Sequence, residues 1–244
     1  MKNGIRTTAS LFAAAIVLLS GCGSEREAPA DLATKELNAD LAPIRAALSQ
    51  NPTDAGLLLG MAQVYEKHNQ VDSALVAYQN SADADPKNWL AHFKMGRLQY
   101  SSGRTLAALD AYRNAVRVRP DFSEAYNNIG FIFKKSGQLD SAEAAYRSAI
   151  NYDSTFVEAY NNLGQIYKQR QRWDESIVMF QWAIELDPQF AGAYLNLATA
   201  CRKSDRPEEE RQVLEAYLTQ FGKSGPQSAA ISERLMVLND LATP

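Results

Sequence analysis

Ala125-Tyr126-Asn127-Asn128-Ile129-Gly130 returns 34 residues on as Ala159-Tyr160-Asn161-Asn162-Leu163-Gly164, and again as Ala193-Tyr194-Leu195-Asn196-Leu197-Ala198. A fixed period of this length marks a stack of like supersecondary units, each unable to bury its apolar face alone. Such a stack offers a long binding surface rather than an enclosed catalytic pocket. The period therefore bears on both fold and function.

Each unit reads as two helices. In the unit that opens with the quoted stretch, Tyr126, Ile129, Gly130 and Phe133 fall at i, i+3, i+4 and i+7, one face of a first helix. Gly137, like Gly103 one unit earlier, follows where a left-handed residue ends a helix at little cost. Leu139, Ala142, Tyr146, Ala149 and Ile150 then mark the apolar face of a second helix. Aligned on the period, the chain divides into units 55–88, 89–122, 123–156, 157–190 and 191–224.

Across these units, small residues recur where paired helices should touch. The eighth place holds Ala62, Gly96, Gly130, Gly164 and Ala198; the twentieth holds Ala74, Ala108, Ala142 and Ser176. The twenty-fourth place is large and aromatic, with Tyr78, Tyr112, Tyr146 and Phe180. Small against large lets two helices approach and interdigitate. Pro86, Pro120 and Pro188 close three units, since proline cannot continue a helix. Ser154 replaces it in the third, which predicts a less sharp joint there.

The fifth unit departs in its second half, where Glu210 stands in the small place and no closing proline follows. Pro207 and Glu208-Glu209-Glu210 still suit a first helical turn. Leu214, Tyr217, Leu218 and Phe221 continue as a helical stripe up to Gly222. Residues 35–54, with Leu37, Leu41, Ile44 and Leu48, read as an N-terminal capping helix that Pro43 either kinks or restarts. Residues 225–244, with Ile231, Leu235, Leu238 and Leu241, read as a C-terminal one. End units of a stack must cover their neighbour's apolar side and stay polar outside.

This pattern resembles the tetratricopeptide repeat family, closely over 55–190 and in part over 191–224. The resemblance implies an all-α, right-handed superhelical solenoid of antiparallel helix pairs whose first helices line a concave groove. It implies that the second, fifth, sixth, ninth, twelfth and thirteenth places of each unit face that groove. Asn128, Asn162 and Asn196 share the sixth place, with Asn127 and Asn161 beside two of them at the fifth. An asparagine amide both donates and accepts, so such a ladder can hold a peptide backbone with little demand on its sequence. It resembles the ladder in the repeat region of O-linked N-acetylglucosamine transferase. The same residues could equally solvate the concave wall or cap local helix contacts.

Lys134, Lys135, Lys168, Arg202 and Lys203 fall at the twelfth and thirteenth places. They make a basic stripe suited to an acidic segment, or simply cations placed favourably near helix C-termini. Phe93, Arg97, Tyr100 and Phe131 occupy groove places in the earlier units, either as an apolar anchor site or as packing. The fifth and ninth places carry Leu59/Gln63, Phe93/Arg97 and Asn127/Phe131, none of which matches the Lys/Asn carboxylate clamp of some family members.

The N-terminus is an address. Lys2 and Arg6 precede the apolar run 11–19 (LFAAAIVLL), then the small Ser20-Gly21 and Cys22. That order matches an export signal, and the run is short of the about 20 apolar residues that span a bilayer. Leu19-Ser20-Gly21-Cys22 resembles the lipobox of bacterial lipoproteins. The resemblance implies a signal peptide over 1–21, cleavage before Cys22, acylation of its thiol, and a polar tether over 22–34. Gly23, where an aspartate would favour inner-membrane retention, points to the outer membrane facing the periplasm of a bacterial envelope.

The 244 residues carry a net charge of −3, which does not suggest a general nucleic-acid binder. Two histidines, His68 and His92, fit a solvated and a packed role respectively, and Cys201 fits a core place. No metal-ligand spacing, phosphate-binding loop or nucleophile–base constellation is visible, so no cofactor, metal, small-molecule substrate or enzymatic activity is expected. The expected partner is a protein or peptide, held by a non-catalytic, membrane-anchored scaffold. Two narrower readings share this layout: an assembly factor for pilus or outer-membrane protein biogenesis, and an accessory regulator of a cell-wall hydrolase or protease.

Overall fold

The computed structural model describes residues 29–223 and 227–242, so the expected signal peptide, Cys22 and residues 23–28 of the expected tether lie outside the described residues. Twelve helices and no strand occur among the described residues. They are α1 (Pro29–Gln50), α2 (Ala55–Lys67), α3 (Val71–Ala84), α4 (Trp89–Ser101), α5 (Thr105–Val118) and α6 (Ser123–Lys135). They continue as α7 (Leu139–Tyr152), α8 (Val157–Gln169), α9 (Trp173–Leu186), α10 (Ala191–Lys203), α11 (Pro207–Phe221) and α12 (Ser228–Ala242). Helices α2 to α11 form five successive pairs, each packed on the next, with α1 against α2 and α12 against α11. The architecture is the all-α repeat array that the period predicts.

The small-against-large places set how closely paired helices lie. A Cβ at Gly96 would fall 2.8 Å from the Tyr112 ring; at Gly130 it would fall 2.7 Å from Tyr146, and at Gly164 2.6 Å from Phe180. Tyr146 and Phe180 are fully buried. The turn inside each pair has a fixed geometry too. Gly103 and Gly137 have φ of 76°, while Asn69, Gln171 and Asp205 reach 56–58° at the equivalent place. The next residue's N–H closes back on the helix, as Gln138 N to Phe133 O (2.9 Å) and Arg172 N to Tyr167 O (2.9 Å), a Schellman closure. Backbone hydrogen bonds define this turn, and glycine only makes it cheaper.

The joint at Ser154 is as sharp as the others. Its helix ends at Asp153 with φ −139° and ψ 96°, close to Asp187 before Pro188 at −137° and 95°. Asp153 Oδ1 accepts from Thr155 N (2.9 Å), just as Asp187 Oδ1 accepts from Gln189 N (2.9 Å). The aspartate turn supplies the bend, so the proline is not needed for it.

Both ends are tied by polar contacts that the pattern did not announce. Helix α1 begins at Pro29, so residues 29–34 of the expected tether are helical, and it runs through Pro43 as one helix. Pro43 and Ala39, whose carbonyl the missing N–H leaves free, are both exposed to water. Leu41 is fully buried. Asp40 accepts from Lys67 Nζ (2.8 Å) and sits 2.9 Å from His68 Nε2, so His68 is held against α1 rather than solvated. At the other end Glu210 is fully buried. Its Oε1 accepts from Arg202 Nε (2.8 Å) and Arg234 Nε (2.9 Å), and its Oε2 from Arg234 Nη2 (2.7 Å). One carboxylate thus joins α10, α11 and α12.

Candidate ligand-binding groove

The asparagines form rungs between repeats. Asn162 Nδ2 donates to Asn127 Oδ1 (3.0 Å), and Asn196 Nδ2 donates to Asn161 Oδ1 (3.0 Å). Each sixth-place amide reaches back to the fifth place of the preceding unit. Asn162 and Asn196 therefore each spend one amide hydrogen within the ladder, Asn196 Oδ1 also accepts from Lys168, and Asn161 is buried, so these amides have less left for a ligand than free ones. Asn128 differs, because the fifth place before it holds Phe93. Its side chain makes no hydrogen bond among the described residues.

Phe93 is packed rather than presented. Its ring lies 4.6 Å from Phe122 and 5.7 Å from Tyr112, both in the second unit. Arg202 is committed to Glu210 and leaves the expected basic stripe. Arg97 remains exposed and makes no ion pair among the described residues. Tyr100 and Phe131 meet edge to face at 5.7 Å, both half-buried. With Tyr112, Asn127, Asn128 and Ile132 they line a pocket of about 230 Å³.

Beside it, α6, α8, α9 and α10 enclose a basin of about 670 Å³. Its walls carry Lys134, Lys135, Lys168 and Lys203, with Gln165, Asn196, Thr199 and Trp173, and no carboxylate lines it. None of the four lysines makes an ion pair among the described residues. Lys134 Nζ donates to Gln165 Oε1 (2.8 Å) and Lys168 Nζ to Asn196 Oδ1 (2.6 Å). Burial lowers the pKa of Lys134, and the charges of Lys135 and Lys168 lower it further; burial alone lowers that of Lys168. Half-buried ammonium groups without counter-ions attract anions more strongly than solvated ones do.

Gln165 and Thr199 fall at the ninth place, one the family pattern already assigns to the groove. Trp173 opens a second helix and lay outside the pattern. His92 is buried, and burial lowers its pKa. Cys201 is buried with its thiol pushed up to about 11, an inert apolar neighbour rather than a nucleophile. No group of metal-ligating side chains occurs among the described residues, and no helix there is long and apolar enough to cross a membrane.

Comparison with known proteins points to the same repeat fold. Family profiles described as "Tetratricopeptide repeat" and "TPR repeat" match residues 157–190, and 96–137 with 132–169, respectively. No curated protein matches the sequence. Among solved structures, MamA is 22% identical over 70% of this chain and 93% of its own, with a TM-score of 0.64. YrrB, described as a TPR protein with an unusual peptide-binding site, is 19% identical over 79% of this chain and 98% of its own, at 0.65. PilF of Pseudomonas aeruginosa is 13% identical over 84% and 92%, at 0.66. At these identities the likeness is one of fold.

Proposed function

Because the chain is a tetratricopeptide repeat protein, we propose that it is a non-catalytic scaffold that holds an extended segment of a protein partner along its groove. The observation that carries this reading is the basin itself. It is open and continuous across three successive first helices, and its walls are amides, a hydroxyl and unpaired ammonium groups. Such walls recognise a backbone and its side chains. The peptide-binding site described for YrrB supports a segment as ligand.

Crosslinking in intact cells with mass spectrometry would name the partner, and its contacting segment would then be titrated against the full chain. Thr199→Trp fills the basin from its wall. It is expected to weaken binding by about tenfold or more with unchanged helical circular dichroism. Unaltered affinity would remove the groove from the account.

The scaffold is proposed to stand on a membrane of the bacterial envelope, with Cys22 acylated after removal of residues 1–21 and the array facing the periplasm. Several acyl chains, each contributing about 0.8 kcal/mol per buried CH₂, anchor firmly. Cys22→Ala is expected to shift the protein from the membrane fraction to the soluble one. If it sediments with membranes as before, acylation is not the anchor.

A further inference from the structure

We infer that the groove's ligand is a linear peptide segment in which an apolar side chain, best an aromatic one, adjoins two or more carboxylates. The apolar group enters the Tyr100/Tyr112/Phe131/Ile132 pocket and the acids lie over the lysine basin. The inference rests on the extended-segment reading above and says what that segment carries.

Three observations place the two subsites together. The pocket of about 230 Å³ exceeds the about 150 Å³ of an apolar cavity that holds a benzene ring, so a phenyl group fits. Phe131 lines both the pocket and the basin, and the ammonium groups of Lys134 and Lys135 each lie 5.5 Å from its ring centre. A residue seated against Phe131 therefore has its chain neighbours at the edge of the basin. Asn128 lines the same pocket with an amide that no rung consumes, a donor and acceptor for the backbone beside the anchor.

Charge sets the other half. Four ammonium groups share a concavity without a carboxylate, in a protein whose net charge is −3. Lys134 already carries the repulsion of Lys135 and Lys168. Carboxylates arriving there relieve that repulsion and complete charge-assisted hydrogen bonds. Neither half has a purpose alone: an apolar pocket of this size is a weak site, and a lone basic patch does not choose between anions.

The test is selection of random displayed peptides against the immobilised full-length chain, then titration of the enriched sequences. The expected motif is Phe, Tyr, Trp or Leu next to two or more Asp or Glu. Affinity is expected to fall about tenfold in Lys134→Gln/Lys168→Gln and again in Phe131→Ala, from the loss of charge-assisted bonds and of the anchor wall. Added salt should weaken binding to the native chain and to Phe131→Ala, and weaken it much less in the lysine double variant, which has lost two of the charges being screened. Enriched peptides that lack acids, yet weaken on Thr199→Trp, would overturn this inference and leave the extended-segment reading standing. Peptides indifferent to all three variants, or none enriched, would overturn both. Displacement by oligothymidylate at lower concentration than by the selected peptide would replace the acidic peptide with a nucleic acid.

Discussion

Glu210→Ala is expected to destabilise the C-terminal end of the array by about 2–3 kcal/mol, although it restores the small residue that the repeat pattern calls for. In the other units the twentieth place holds Ala74, Ala108, Ala142 or Ser176, and alanine is also the better helix former. Both local rules predict a gain. Against them stands a fully buried carboxylate bonded to two guanidinium groups on different helices. Removing one partner of a buried ion pair costs about 3–5 kcal/mol, chiefly by stranding the other charge. Arg202 and Arg234 retain side-chain exposures of 49% and 28%, so water takes up part of that charge and the cost falls to the bottom of that range or just below it, about 2–3 kcal/mol. Native-state hydrogen exchange checks it region by region. Amides of α12 and the second half of α10 should lose protection, while α4 to α7 keep theirs. Unchanged protection in α12 would show that Glu210 does not hold the cap.

The same group carries a pH dependence. Burial pushes the Glu210 carboxyl up, but the hydrogen bond from Arg234 and the charge of Arg202 pull it further down, so its folded pKa lies below the ordinary value. A depressed carboxyl contributes stability that is complete above its unfolded pKa, about 4.3, and is lost as pH falls through the folded one. The gap in stability between the native protein and Glu210→Gln should therefore stay constant above neutrality and close only in acid.

What the sequence made legible follows from where each contact partner lies. Gly130 and Tyr146 recur in register because every pair of helices needs the same close approach, so periodicity exposes them. Asn162 and Asn196 also recur, yet their partners, Asn127 and Asn161, lie 35 residues back in each case. Fifth-place asparagines in units three and four ahead of sixth-place asparagines in units four and five were the available signal. Read one unit at a time, the residues look like a free ladder. The consequence is a transfer of interest to Asn128, where Phe93 breaks the series. The roles of Glu210, which the pattern marks only as a departure, and of Asp40 were hidden for a different reason. A departure from a repeat can mean decay or a private partner, and only the position of Arg234 or of Lys67 and His68 distinguishes the two.

The close approach itself yields the second large effect. Gly164→Val is expected to cost about 3 kcal/mol, and Phe180→Ala about 3–5 kcal/mol, yet the double variant should cost clearly less than their sum. In a helix interior, replacing glycine normally gains up to about 1 kcal/mol. Here a Cβ would meet Phe180 Cε1 at 2.6 Å and Cδ1 at 2.8 Å, and the ring is fully buried. Its neighbours hold it, so α8 and α9 must separate or the ring must leave its rotamer. Overpacking of this kind costs about 1–3 kcal/mol, and the stiff, branched valine falls at the upper end. Phe180→Ala instead leaves a cavity beside Gly164 and loses the ring's transfer free energy. Valine's methyl groups point into that same cavity, so each change relieves part of the other's damage, and residues in contact are where additivity fails. Denaturant titration of the four proteins measures the coupling. Strict additivity would mean that the glycine and the aromatic do not determine the spacing of the pair.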